Sequence, residues 1–302
     1  MTIPSPTEQL VSVDWLADHL DHPGLRVVDI RGYVRTTDLG GGRQRAEYAG
    51  APEEYAAGHI PGAVFVDWTS DITDPDNPVK AQLAGPVRFA AAMAARGVGD
   101  DTFVVAVDHT GGHMATRLWW ALRAYGHDKA AILDGGYAAW LTAGKPLGTD
   151  DTVEPPDVTF TPRYQHELVM DIDEVALAAE NGQTTIVDAR DPGQYDGSVQ
   201  RGARGGHIPG AINIPAKSLM NADGTQKPVE EQAAIFAAAG IDAETPVIAY
   251  CNGGVTATAV LFALDRTGHH NYANYDGSWN EWGERTDMPV VSGNEPGGKR
   301  PG

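Results

Sequence analysis

The chain is poor in cysteine, in basic residues and in long apolar runs. Its 302 residues hold one cysteine, Cys251, so no intrachain disulfide and no multi-cysteine zinc site can form, and nothing marks an oxidising compartment. Lys plus Arg number 22 against 41 Asp plus Glu, a formal charge of −19. Nonspecific nucleic-acid binding rests on basic side chains neutralising phosphates and has no electrostatic footing here; anionic membranes are disfavoured for the same reason. No stretch reaches the roughly 18 consecutive apolar residues of a membrane span, and MTIPSPTEQL at the start lacks the basic and apolar regions of a secretory signal. These absences lead to the expectation of a cytoplasmic protein with no nucleic-acid or membrane partner. Gly (36) and Pro (20) together make up less than a fifth of the chain, short of the roughly 25–30% of low-complexity sequence, so a folded protein is expected.

What the sequence does have is a repeat, and a repeat fixes architecture before any local reading. GHIPGAVFV at Gly58–Val66 returns as GHIPGAINI at Gly206–Ile214. RVVDIR, closing at Arg31, returns as TIVDAR, closing at Arg190; GVGDDTFVVAVD, ending at Asp108, parallels GIDAETPVIAYC, ending at Cys251; and AAILDGGYAAW, ending at Trp140, matches NYANYDGSWNEW, ending at Trp282. Four landmarks in one order imply two homologous domains, placed at 1–147 and 166–291. The Pro- and Asp-rich stretch within 148–165 reads as a linker, and 292–302 as a disordered tail. Short β-branched runs alternate with helical patterns such as VRFAAAMAARG after Pro86 and VEEQAAIFAAAG before Gly240. Continuous apolar strands suit a sheet covered on both faces, so each copy is expected to be a small α/β domain with a mainly parallel sheet and helices on both faces. Chemistry in such sheets gathers at the carboxyl ends of strands.

Cys251 ends the strand PVIAY and precedes NGGVT, after which ATAVLFALDRTG reads as a helix with apolar Ala257, Val260, Leu261 and Leu264 on one face. Free cysteines are often inert packing. A strand turning through Gly253 and Gly254 into a helix, however, can aim consecutive backbone N–H groups at one atom, and such a field favours a thiolate or an anionic persulfide.

These residues resemble the two-domain rhodaneses, the thiosulfate and 3-mercaptopyruvate sulfurtransferases, over about residues 10–291. Tyr55–Val66 looks like the family's N-terminal signature, Tyr275–Trp282 like its C-terminal one, and Cys251–Thr256, CNGGVT, is similar to the six-residue active-site loop. The resemblance implies a catalytic cysteine in the second domain alone, the first being an inactive copy with Asp108 in the matching place. It also implies that Cys251 takes sulfur from thiosulfate or 3-mercaptopyruvate as a persulfide. Cyanide, a small thiol or a thioredoxin-like protein would then collect it, with no metal or organic cofactor.

An anionic donor calls for a cation near the loop. Arg190, at a strand's carboxyl end, is the first candidate, with an ion pair to Asp188 or Asp191 as its structural alternative. Arg201 and Arg204, before His207, are further candidates. The loop residues Asn252, Gly253, Gly254, Val255 and Thr256 complete the expected donor site, with Thr256 expected to cap the helix. Many family members carry an arginine four residues after the one equated with Arg190, where this chain has Gln194. The small neutral loop looks more like the mercaptopyruvate-preferring kind, yet Gly253 stands where some of those enzymes have a serine, so no serine relay is supported. His59 and His207 occur in both copies and read as structural. Asp108, His109 and His113 are too few to specify a metal. Two other functions were weighed. A cysteine phosphatase needs an arginine six residues beyond the cysteine, where Ala257 stands; a non-enzymatic sulfur carrier or interaction module would hand its persulfide only to a protein.

Overall fold

The structure, a computed structural model, describes residues 9–149 and 156–299. Parts of the expected linker (150–155) and tail (300–302) lie outside the described residues. The first domain contains β1 (Leu10–Val11), β2 (Leu25–Asp29), β3 (Gly32–Gly40), β4 (Arg43–Gly50), β5 (Val64–Phe65), β6 (Phe103–Val107) and β7 (Ala130–Leu133), with helices α1 (Val13–His19), α2 (Pro52–Ala57), α3 (Pro86–Ala94), α4 (His113–Ala124) and α5 (Gly136–Thr142). The second contains β8 (Val169–Met170), β9 (Thr185–Asp188), β10 (Gln200–Arg201), β11 (Ile212–Asn213), β12 (Val247–Tyr250) and β13 (Tyr272–Tyr275), with α6 (Ile172–Asn181), α7 (Pro192–Asp196), α8 (Val229–Ala238), α9 (Ala257–Arg266) and α10 (Ser278–Trp282).

The central strands β6 and β12 are buried at every residue, as their unbroken apolar sequences require. Each centres a five-stranded parallel sheet, ordered β1-β7-β6-β2-β5 and β8-β13-β12-β9-β11, so the repeat read in the sequence is also a repeat of topology. One element falls outside that plan. β3 and β4 form an antiparallel hairpin, and the second-domain strand β10 adds to it in parallel, with Arg201 opposite Gln44. This three-stranded sheet is shared between the two halves.

The halves join through α4 and α9, which lie in one continuous core drawing Trp119 and Trp120 from the first domain and Leu261 and Phe262 from the second. Thr116 and Thr258 meet hydroxyl to hydroxyl at 3.0 Å, and Trp119 meets Phe262 edge-on. The outer sheet faces carry separate cores, one under α1 and α5, the other under α6 and α10. No helix among the described residues is long and apolar enough to cross a membrane.

Two segments without periodicity are nonetheless held in place. In the described part of the linker, Phe160 is buried against Phe89, and Thr161 bonds Asp100 through both its N–H and its hydroxyl. In the tail, expected to be disordered, Gly293 N donates to Asp196 O and Pro296 O accepts from Gly210 N. Composition missed these segments because their contacts go to residues distant in sequence rather than along the segment itself.

Arg117, on α4, crosses the domain boundary. Its Nη1 reaches Asp276 at 2.5 Å and Gly254 O at 3.1 Å, and its Nη2 reaches Ala81 O at 2.9 Å, all fully buried. Arg117→Met should lower unfolding stability by about 3–5 kcal/mol, since Asp276 is left buried without its partner. Urea denaturation checks this; an unshifted midpoint would contradict the boundary's dependence on the pair.

Candidate active site

Cys251 follows the last residue of β12, at the carboxyl end of the central strand, and is 2% exposed. The loop from Cys251 to Thr256 is shaped by what holds its carbonyls. Cys251 O accepts from Trp279 N at 3.1 Å and Asn252 O from Asn280 N at 2.7 Å. Gly254 O accepts from Arg117 Nη1 at 3.1 Å and Asn274 Nδ2 at 3.0 Å. Val255 O and Thr256 O accept from Thr258 N and Ala259 N in the first turn of α9. In a trans peptide the N–H points opposite to the C=O. Anchoring these five carbonyls therefore leaves the N–H groups of Asn252, Gly253, Val255, Thr256 and Ala257 on the opposite side of their peptide planes, and none of the five has an acceptor among the described residues.

The two remaining loop amides go elsewhere. Cys251 N and Gly254 N donate to Ser278 Oγ at 3.1 and 2.9 Å, and that hydroxyl donates to Tyr275 O at 2.7 Å. The expected ring of amides is thus divided: a serine from behind the loop takes two, and the others stay open. Ser278 holds a left-handed backbone with φ of 52°, strained for a residue with a Cβ. Both loop glycines are required by position. A Cβ on Gly253 would come within 2.8 Å of Asn280 Nδ2 and 3.1 Å of Ala81 Cβ, and Gly254 has φ of +68° against Asp276.

The first domain shows what such a loop holds. Asp108 follows β6 as Cys251 follows β12. Its fully buried carboxylate accepts from the N–H groups of Thr110, Gly112, Met114 and Ala115 at 2.7 to 3.1 Å, and from the Thr110 hydroxyl at 2.8 Å. Thr110, Gly112 and Met114 lie two, four and six residues beyond Asp108; the same steps from Cys251 reach Gly253, Val255 and Ala257. The first domain carries a built-in anion where the second has sulfur.

The arginines separate. Arg190 is buried and paired with Asp188, Nε to Oδ1 at 2.9 Å and Nη2 to Oδ2 at 2.5 Å, with Nη2 also on Gly206 O at 2.7 Å. Burial works against its charge, but the Asp188 carboxylate outweighs that and holds the ionisation above its ordinary value. Arg31 makes the same pair with Asp29 and the same bond to Gly58 O in the domain without a cysteine. The pair therefore recurs in both halves of the repeat, and the Arg190 guanidinium also lies 4.3 Å from the ring centre of Trp279, whose backbone N–H anchors Cys251 O. Arg204 is likewise committed, donating to Gly283 O, Met288 O, Trp282 O and Arg285 O.

Arg201 is placed differently. Fixed by the pairing of β10 with β4, it lines a cavity of about 310 Å³ between the domains together with Tyr48, Lys80, Trp279 and Asn280. Burial draws its ionisation down, while charge on Tyr48 and Cys251 acts the other way. Gln194 lies 3.0 Å from the Asn252 side chain and, with its amide oxygen turned to the guanidinium, accepts from Arg201 Nε at 3.0 Å. Thr256 makes no side-chain capping bond, so its expected helix-capping role is not seen. His59 and His207 repeat one structural arrangement, each stacked on a tyrosine, Tyr55 or Tyr195, with Nδ1 at that tyrosine's carbonyl. Sequence reading missed Ser278, Arg117, Asn274 and Tyr48; of these Ser278 and Asn274 lay inside the repeated landmark that ends at Trp282.

The rhodanese-like domain family matches residues 12–143 and 171–285. A 3-mercaptopyruvate sulfurtransferase of Escherichia coli is 37% identical over 94% of this chain and 98% of its own. A thiosulfate/3-mercaptopyruvate sulfurtransferase of Arabidopsis thaliana is 32% identical over 95% of this chain and 79% of its own. A sulfur carrier protein of Thermus thermophilus is 32% identical over 95% and 98%. The crystal structure of a 3-mercaptopyruvate sulfotransferase from Escherichia coli superposes with a TM-score of 0.78 at 35% identity, covering 90% of this chain and 99% of that one. The chain belongs to the rhodanese family, as a sulfurtransferase built from two tandem rhodanese-like domains.

Proposed function

We propose that Cys251 carries sulfane sulfur as a persulfide, taken from an anionic donor, thiosulfate or 3-mercaptopyruvate, and given to cyanide, a small thiol or a thioredoxin-like protein. The thiolate attacks the donor's outer sulfur; an S–S bond forms, and sulfite or pyruvate leaves with the electrons of the broken bond. The acceptor then attacks the outer persulfide sulfur and returns Cys251 to the thiolate, a double displacement with ping-pong kinetics. The observation carrying this reading is the set of unpaired loop N–H groups around Cys251, whose first-domain counterparts hold the Asp108 carboxylate. An anionic persulfide puts charge where those donors converge.

Arg201 is the cation that meets the donor's charged head, with Asn252 and Gln194 steadying it from the loop side. Gly253, Gly254, Val255 and Thr256 contribute backbone alone. A carrier role, in which only a protein collects the sulfur, is the second reading, favoured by the Thermus thermophilus relative named a sulfur carrier.

Two experiments test the reading. Treated with either donor, the wild-type protein should gain one sulfur atom by mass spectrometry and form thiocyanate from cyanide, while Cys251→Ser should gain none and fall below about a thousandth of the wild-type rate. A persulfide that reaches a thioredoxin-like protein but not cyanide would favour the carrier; no persulfide from either donor would overturn both. Arg201→Gln should raise KM for the donor about tenfold to a hundredfold, the worth of a charged hydrogen bond. Arg204→Gln, which loses carbonyl contacts, should lower the melting temperature and leave KM unchanged. Equal KM effects in the two variants would remove Arg201 from its assigned role.

A further inference from the structure

Tyr48 stands in β4 of the first domain, yet its side chain lines the cavity beside the second domain's cysteine. The ring packs against Trp68 with centroids 5.3 Å apart. Its hydroxyl oxygen accepts from Asn280 Nδ2 at 3.1 Å, and Asn280 N in turn holds Asn252 O at 2.7 Å. A phenol has one proton to donate as well as lone pairs to accept with. The Tyr48 proton has no acceptor among the described residues. Burial pushes the phenol above its ordinary ionisation range, despite the Asn280 bond, so it remains a neutral donor at physiological pH. Tyr48 and Arg201 line the same cavity, and Asn280 on its wall ties the Tyr48 hydroxyl to the backbone of Asn252, the residue after Cys251.

That cavity offers a guanidinium and a neutral O–H donor, with Trp279 and Asn280 of its wall bonded to the backbone of Cys251 and Asn252. Thiosulfate has a sulfonate-like head for the guanidinium and nothing that needs the hydroxyl. A 3-mercapto-2-oxo acid needs both, because its carboxylate and ketone oxygens sit on adjacent carbons. We propose that Tyr48, from the otherwise inactive domain, is the donor-specificity residue, hydrogen-bonding the ketone oxygen of a 3-mercapto-2-oxo acid and stabilising the enolate formed as its carbon–sulfur bond breaks. This rests on the persulfide reading above and adds the donor class to it.

The step balances without a further reactant. The Cys251 thiolate bonds to the donor's thiol sulfur, and the bond from that sulfur to C3 breaks. Its electron pair passes into the C2–C3 enolate, with negative charge on the oxygen facing Tyr48. The proton carried by the donor thiol, left on the persulfide, moves to C3 and yields pyruvate and an anionic persulfide. The sulfur is oxidised and C3 reduced. Tyr48 lends a hydrogen bond and keeps its proton. Gly253 supplies no side-chain hydroxyl for this part.

The test is Tyr48→Phe, assayed against the wild type with 3-mercaptopyruvate and with thiosulfate, cyanide as acceptor, and melting temperature measured alongside. Phenylalanine keeps the ring against Trp68, and Asn280 retains its bond to Lys80 O at 3.2 Å, so the melting temperature should hold. The kcat with 3-mercaptopyruvate should fall about a hundredfold, the effect of removing one oxyanion donor, while the thiosulfate rate stays within about twofold. Equal losses with both donors would make Tyr48 structural and overturn the inference. So would an unchanged 3-mercaptopyruvate rate, or a wild type that uses thiosulfate alone. A wild type that forms no persulfide from either donor would instead overturn the reading on which the inference is built.

Discussion

The loop that begins at Cys251 is held open by bonds to its carbonyls, and the chemistry follows from that one constraint. Trp279 N, Asn280 N, Arg117, Asn274 and the first turn of α9 each take a carbonyl on the outer side. Because the peptide plane is rigid, the inner side is left lined with N–H groups. Such donors are costly to bury unsatisfied, so they are prepared for an anion before one arrives. Preorganisation of this kind needs no rearrangement when charge develops on sulfur.

Much of the anchoring comes from outside the loop's own sheet. Arg117 reaches from α4 of the first domain, and Ala81 and Lys80 of that domain press on Gly253 and Asn280. In the first domain the Asp108 carboxylate takes the corresponding N–H donors and locks its loop. The locked copy then serves as a rigid wall: it supplies Tyr48 and Lys80 to the cavity and, through β4, the strand that fixes Arg201. The surroundings of Cys251 are thus assembled from both halves of the repeat.

The parts of this legible in the sequence were those encoded locally. The buried strands, the two glycines after Cys251 and the ordered landmarks of the repeat carried the fold and the placement of Cys251 at the carboxyl end of the central strand. The β3–β4 hairpin was readable too, from GGG at its turn, and went unread because it belongs to only one copy. The Arg190–Asp188 ion pair was one of two readings open to the sequence, because sequence position does not say which way a guanidinium turns. The repeat held the missing clue: Arg31 follows Asp29 as Arg190 follows Asp188, in a domain with no cysteine to serve, the same reasoning that made His59 and His207 structural. Arg117, Asn274 and Tyr48 act across tertiary contacts and carry no local signal.

The most direct test of the account is a high-resolution crystal structure of the protein after thiosulfate treatment. The account predicts a second sulfur bonded to Cys251 Sγ and lying within hydrogen-bond distance of the N–H groups of Gly253, Val255 and Ala257, with the Ser278 bonds to Cys251 N and Gly254 N unchanged. An added sulfur turned away from those amides, or a loop that must refold to receive it, would contradict the claim that the cradle is built in advance.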